Sequence, residues 1–197
     1  MSIIIGLTGP TGSGKSSASA VAEKFGLKVI DCDKTARKAT EKGTEGLKAL
    51  TKAFGSEILN QDASLNRKAL AALAFKNRES TELLNKTILP YIVELVKSEA
   101  LGQDTLLDAP TLFESGINEI CDKTIAVLAD REIRLKRITA RDNLTLNEAK
   151  TRINAGKHER FYKENADYII YNNGEEKAFI QSFSDIIKEI MEGIKNG

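Results

Sequence analysis

The chain has 197 residues, 41% of them apolar, which suits one domain with a real core. Lys and Arg total 29 against 28 for Asp and Glu, so a net charge of +1 supplies no whole-molecule field for nucleic acid or an acidic membrane. Two cysteines, Cys32 and Cys121, make neither a disulfide framework nor a metal spacing, and no apolar run nears the ~20 residues that span a bilayer; a reduced, cytoplasmic protein is expected.

Short β-branched runs alternating with longer helical patterns predict an α/β fold with a five-stranded parallel sheet, its strands at Ser2 to Leu7, Lys28 to Asp31, Thr105 to Asp108, Thr124 to Leu128 and Tyr168 to Tyr171. The first strand runs into "GLTGPTGSGKSS", residues 6 to 17, and Gly9 to Ser16 satisfies G-x-x-x-x-G-K-[ST]. A helix pattern follows from Ser17 to Phe25, so strand, loop and helix N-terminus come in the order a phosphate cradle requires. In that order the glycines let backbone N–H groups converge on phosphate oxygens, and the helix end adds about half a positive charge. Lys15 can reach the β and γ phosphates, and the Ser16 hydroxyl can ligate Mg²⁺. A chance lysine in a glycine-rich turn would not bring the flanking strand and helix. Switches, motors and small-molecule kinases share such a loop.

The second strand runs "KVIDCDKTAR". Asp31 and Asp33, two apart, are expected on one side of an extended segment facing the crevice at the strand ends, with Arg37 four beyond Asp33. Asp33 is either the group that takes or orients the proton of an attacking hydroxyl or the N-cap of the next helix, and the roles are compatible. Residues from about 34 to 102 hold several helical patterns and no strand, so an inserted helical subdomain is expected there. Within it Asn85-Lys86-Thr87-Ile88 lacks the acid of a guanine-reading NKxD loop, and no DxxG follows the third strand. A regulatory GTPase is therefore disfavoured; a kinase for a small acceptor fits better, and a nucleotide-binding switch that docks a partner is the rival of another class.

"TLLDAPTLFE" puts Asp108 at the end of the third strand, where an acid holds water on a metal ion beside Ser16, although a strand-ending Asp is also common turn chemistry; Glu114 is placed toward the same cleft. "REIRLKRITARD" gives Arg134, Arg137 and Arg141 at spacings of three and four. Such a stripe is ordinarily a solvated face; beside a phosphate cradle it reads as a lid, about 131 to 165, bringing arginines to the transferring phosphoryl group. The last helix repeats Phe179, Ile180, Phe183, Ile186, Ile187, Ile190, Met191 and Ile194 along one apolar, core-facing side. The remaining core is expected at about 1 to 33, 103 to 130 and 166 to 197.

Taken together, "GLTGPTGSGKS", "DCDKTAR", "DAPTLFE", "KRITARD" and "ADYIIYNNG" resemble dephospho-CoA kinases over nearly the whole chain. The resemblance implies a P-loop kinase fold that uses ATP and Mg²⁺ to phosphorylate the ribose 3′-hydroxyl of dephospho-CoA, with no nucleic-acid, membrane or obligate protein partner. By the same resemblance Asp33 is the catalytic base beside Lys15 and Arg141. The nucleotide falls to Thr11, Gly12, Ser13, Gly14, Lys15, Ser16, Ser17 and Arg137, with Asn172 and Asn173 near the adenine. Thr8, Asp31, Asp33, Arg37, Asp108 and Glu114 face the acceptor, and Ser16 and Asp108 the metal. Three positions depart from relatives: Leu89 in place of a histidine, Gly156 in place of a glutamine and Tyr162 in place of a lysine. The only histidine is His158.

Overall fold

A computed structural model describes residues 2–195. Positions 1, 196 and 197 of the expected core lie outside them. Five parallel strands, β1 (Ile4–Thr8), β2 (Lys28–Asp31), β3 (Thr105–Asp108), β4 (Lys123–Leu128) and β5 (Tyr168–Tyr171), pair in the order β2-β3-β1-β4-β5. The runs Ile3 to Leu7 and Ile125 to Leu128 are almost wholly inaccessible apart from Ile4, as strands covered on both faces must be. The first strand begins and ends slightly later than its apolar run suggested, because its pairing with β3 starts at Ile4 and Thr8 still pairs with Ala126 of β4.

One face is covered by α1 (Lys15–Lys24) and α9 (Glu176–Lys195), whose Ala18, Val21, Phe179, Phe183 and Ile187 pack on Ile5, Leu7 and Val127. The phosphate-loop helix thus starts at Lys15 rather than Ser17. On the other face α2 (Cys32–Ala39) and the long α5 (Arg78–Ala100) pack Cys32, Ile92 and Val96 against Ile30 and Leu107. Between them α3 (Glu45–Phe54) and α4 (Arg67–Ala74) share with α5 a small separate core around Leu50, Ile58, Leu70 and Ala74. The predicted helical insertion is thus helical, with a single isolated bridge, Leu59 to Leu65, among the described residues.

The charged segment forms α6 (Arg131–Asp142), α7 (Leu146–Asn154) and α8 (Glu159–Asn165). Ile138, Ala149 and Ile153 bind α6 to α7, and Tyr162 of α8 packs on β4 through Ala126 and Leu128. Every strand pair is parallel, so all five carboxyl ends open on one edge. The chain leaves β1 toward β2 but leaves the neighbouring β3 toward β4, on the other side. Two loops that part in this way open a crevice between them, the usual ligand position in such sheets.

Candidate active site

The loop from Gly9 to Gly14 leaves β1 and enters α1. Gly14, the residue before the first helical turn, has φ +102°, a conformation a side chain disfavours. A cavity of about 580 Å³ opens over the loop, lined by Thr11, Gly12, Ser13, Gly14, Lys15 and Ser16 and bordered by Arg137 and Arg141 of α6. A second, of about 540 Å³, lies beside it, lined by Pro110, Thr111, Glu114, Arg152, Lys157 and Tyr162 among others. Lys15 and Arg141 line both. Ser17 lies instead in a smaller recess of about 310 Å³ behind the loop, with Arg137, Asn172 and Phe179.

Across the crevice Lys15 Nζ stands 3.9 Å from Asp108 Oδ1, and Ser19 Oγ donates to Asp108 Oδ2 at 3.1 Å. Burial raises the Asp108 carboxyl above its ordinary range, with Lys15 and Ser19 pulling the other way. Among the described residues no group of three or more His, Cys, Asp or Glu could hold a metal by itself. The oxygens that fit a divalent ion are the exposed Ser16 hydroxyl and the Asp108 carboxylate, a pair suited to Mg²⁺ that keeps most of its waters and leans on nucleotide phosphates.

The second strand corrects one expectation. Helix α2 begins at Cys32, so Asp31 and Asp33 do not alternate along one extended segment. Asp31, not Asp33, is the N-cap: its carboxylate accepts the Lys34 backbone N–H at 3.0 Å and pairs with Lys34 Nζ at 3.1 Å. Partial burial opposes the Asp31 charge, but the Lys34 N–H and ammonium outweigh it and hold the group below its ordinary range. Asp33 stays exposed in the first turn of α2, and Arg37 is exposed one turn later in the same helix. Neither Asp31, Asp33 nor Arg37 lines the two larger cavities.

The other expected positions are spread around the crevice. Thr8 is fully buried and its hydroxyl donates to Pro110 O at 3.3 Å, tying the end of β1 to the loop after β3. Glu114 Oε2 is buried without a hydrogen-bond partner at the edge of the second cavity. Arg141 forks onto Asp142 at 2.6 and 2.8 Å, and Arg152 joins the same carboxylate at 2.6 Å. Asn173 accepts the Asp130 N–H at 2.7 Å, fixing the turn into α6. Of the departures, Leu89 approaches Gly116 in the loop after β3, Gly156 lines the second cavity, and Tyr162 is buried there with its phenol pushed up to about 12. His158 is exposed at the N-cap of α8 and lines none of the three cavities.

Three contacts had not been anticipated. Ser19, one turn beyond Lys15, orients Asp108. Arg134 Nε donates to Thr11 O at 2.9 Å, and Asn172 Nδ2 to Ser13 O at 3.0 Å, so two residues distant in sequence hold the loop's main chain. Spacing four from Lys15 was the available signal for Ser19; none marked the carbonyl contacts.

Comparison with known proteins identifies the family. The family model described as dephospho-CoA kinase matches residues 3–178. A Listeria monocytogenes dephospho-CoA kinase is 40% identical over 177 residues, covering 86% of this chain and 88% of its own. One from Staphylococcus aureus is 32% identical over 191 residues, 94% of this chain and 92% of its own. The solved dephospho-CoA kinase from Campylobacter jejuni superposes with a TM-score of 0.65 at 28% identity, over 98% of this chain and 99% of its own. A family-model match that runs from β1 into α9, with relatives 32–40% identical over most of the chain, places this protein in the dephospho-CoA kinase family.

Proposed function

We propose that the chain transfers the γ-phosphoryl group of ATP to the 3′-hydroxyl of the dephospho-CoA ribose, giving coenzyme A and ADP. The observation that carries the reading is the pair of cavities sharing Lys15 and Arg141, one over the phosphate loop and one beside it. Two substrates seated there would meet at two cations. In the reaction the acceptor oxygen bonds to the terminal phosphorus, the bond from that phosphorus to the ADP oxygen breaks, and the hydroxyl proton leaves. Backbone N–H groups from Thr11 to Ser16 and the Lys15 ammonium hold the phosphate tail, and Arg141, released from Asp142, meets the charge spread over the transferring group. Asp33, exposed on α2, takes or orients the proton; so loose a transition state needs placement more than early deprotonation. Mg²⁺ held by Ser16 and Asp108 would neutralise phosphate charge. The adenine of ATP would lie near Asn172 and Asn173.

Residues of about 34 to 102 serve as the acceptor-binding subdomain and about 131 to 165 as the lid, on a core of about 1 to 33, 103 to 130 and 166 to 197. Among the described residues no helix is long and apolar enough to cross a membrane. A cytoplasmic enzyme with small-molecule partners alone completes the reading. A coupled ADP-release assay tests it with dephospho-CoA, adenosine, AMP and shikimate as competing acceptors. ADP release should accelerate strongly with dephospho-CoA alone; equal acceleration by AMP or shikimate would assign another acceptor.

A further inference from the structure

We infer that Arg134, Arg137 and Asn172 form a clamp on the outer, carbonyl edge of the phosphate loop, and that this clamp aims the loop's amides at the phosphates. Arg134 Nε donates to Thr11 O at 2.9 Å. Arg137 Nη1 reaches Gly12 O at 3.4 Å and Ser13 O at 3.3 Å, while its Nη2 donates to Asn172 Oδ1 at 3.2 Å. Asn172 Nδ2 completes the set on Ser13 O at 3.0 Å. Asn172 is 6% exposed and its own backbone N–H is fixed on Leu128 O at 2.8 Å, so the clamp stands on the sheet.

The consequence follows from peptide geometry. No peptide bond here is cis, and in a trans unit the C=O and the following N–H point in opposite directions. Fixing Thr11 O outward turns the Gly12 N–H inward; fixing Ser13 O outward does the same for Gly14. Among the described residues neither of those N–H groups donates to another group, although unpaired main-chain donors are costly unless water or a ligand takes them. The Ser13 N–H, by contrast, is spent inside the loop on Pro10 O at 3.1 Å. Two amides of the cradle are thus held free and aimed by side chains on its far side.

The inference deepens the proposed function and rests on its phosphate site. Arg134 gives the cleanest test because it lines none of the three cavities around the loop, so its contact with a bound phosphate runs through the loop, and Arg134→Lys, which keeps the charge and loses the Nε donor, should weaken tripolyphosphate as well. Calorimetry with inorganic tripolyphosphate, ATP and adenosine should show Arg134→Ala weakening tripolyphosphate and ATP by about tenfold, the loss of one good hydrogen bond, with adenosine unchanged. Asn172→Ala should weaken tripolyphosphate by a similar factor, and the Gly12 and Gly14 amide resonances should shift in both variants. Tripolyphosphate affinity at the wild-type level in Arg134→Ala would overturn the clamp. So would an Asn172→Ala variant that keeps tripolyphosphate at the wild-type level, which would make Asn172 a base contact alone. Failure of the wild-type chain to bind tripolyphosphate or ATP would remove the phosphate site, and the clamp with it. If Asn172→Ala unfolds, the Arg134→Ala result decides alone.

Discussion

Replacing Gly14 by alanine tests how tightly the loop is held. The new Cβ would overlap the Asn172 side-chain nitrogen and lie 3.3 Å from Asn172 Cγ, at a φ of +102° that disfavours any side chain. The backbone conformation alone costs about 1–3 kcal/mol. Asn172 must also move, and its bonds to Ser13 O and from Arg137 at 3.0 and 3.2 Å are worth about 1 kcal/mol each. The variant should therefore lose about 3–5 kcal/mol, a melting point lower by roughly 10 °C for a chain of this length. Asn172→Ala alone should cost about 2 kcal/mol. The double variant removes the collision and keeps the backbone cost, so it should be milder than the two singles added by about 2 kcal/mol. Differential scanning calorimetry of the four proteins measures the cycle. Additivity within about 0.5 kcal/mol, or a Gly14→Ala protein that melts with the wild type, would refute the packing argument.

Lys15→Ala should abolish turnover, and Asp33→Asn should lower kcat by at least ~10² while ATP still binds in calorimetry; near-wild-type turnover in Asp33→Asn would take the base role from that residue. Arg141→Ala should slow transfer more than it weakens ATP, since its charge acts mainly in the transition state, and steady-state kinetics beside ATP titration would reveal equal losses if it does not. Partial burial opposes the charge of Asp167, but the Thr124 hydroxyl and N–H at 2.7 and 2.8 Å, with Lys123, hold it below its ordinary range. Its stabilisation should then be complete above about pH 4 and fade as pH falls through the lowered folded value, so Asp167→Asn should lower the melting point at pH 7 and flatten its decline in acid.

Much of the sheet could be read directly, because the short apolar runs at Lys28–Asp31, Thr105–Asp108 and Tyr168–Tyr171 have no competing period. The phosphate loop was equally legible, its residue types being dictated by the anion. Asp33 was harder: "IDCD" alternates in sequence, yet capping at Asp31 starts the helix one residue later, and local pattern does not say which aspartate turns the chain. The stripe of α6 showed which residues share a face but not what the face meets. Ile138 at full burial beside Gly12 answers that, since it seats α6 on the loop and turns Arg134 and Arg137 onto carbonyls. Asn172, some 160 residues from Ser13, had no spacing rule to reveal it.

The strand order also sets a timetable for biosynthesis. β1 lies between β3 and β4, so this strand cannot gain a neighbour until residues about a hundred positions later leave the ribosome. At about 5–20 residues per second that is a wait of roughly 5–20 s, during which the apolar stretch Ile3 to Leu7 has no sheet to join. The helices of the insertion, with a small core of their own, can condense in the meantime. The nascent chain therefore carries this apolar strand unpaired until β3 arrives to sequester it.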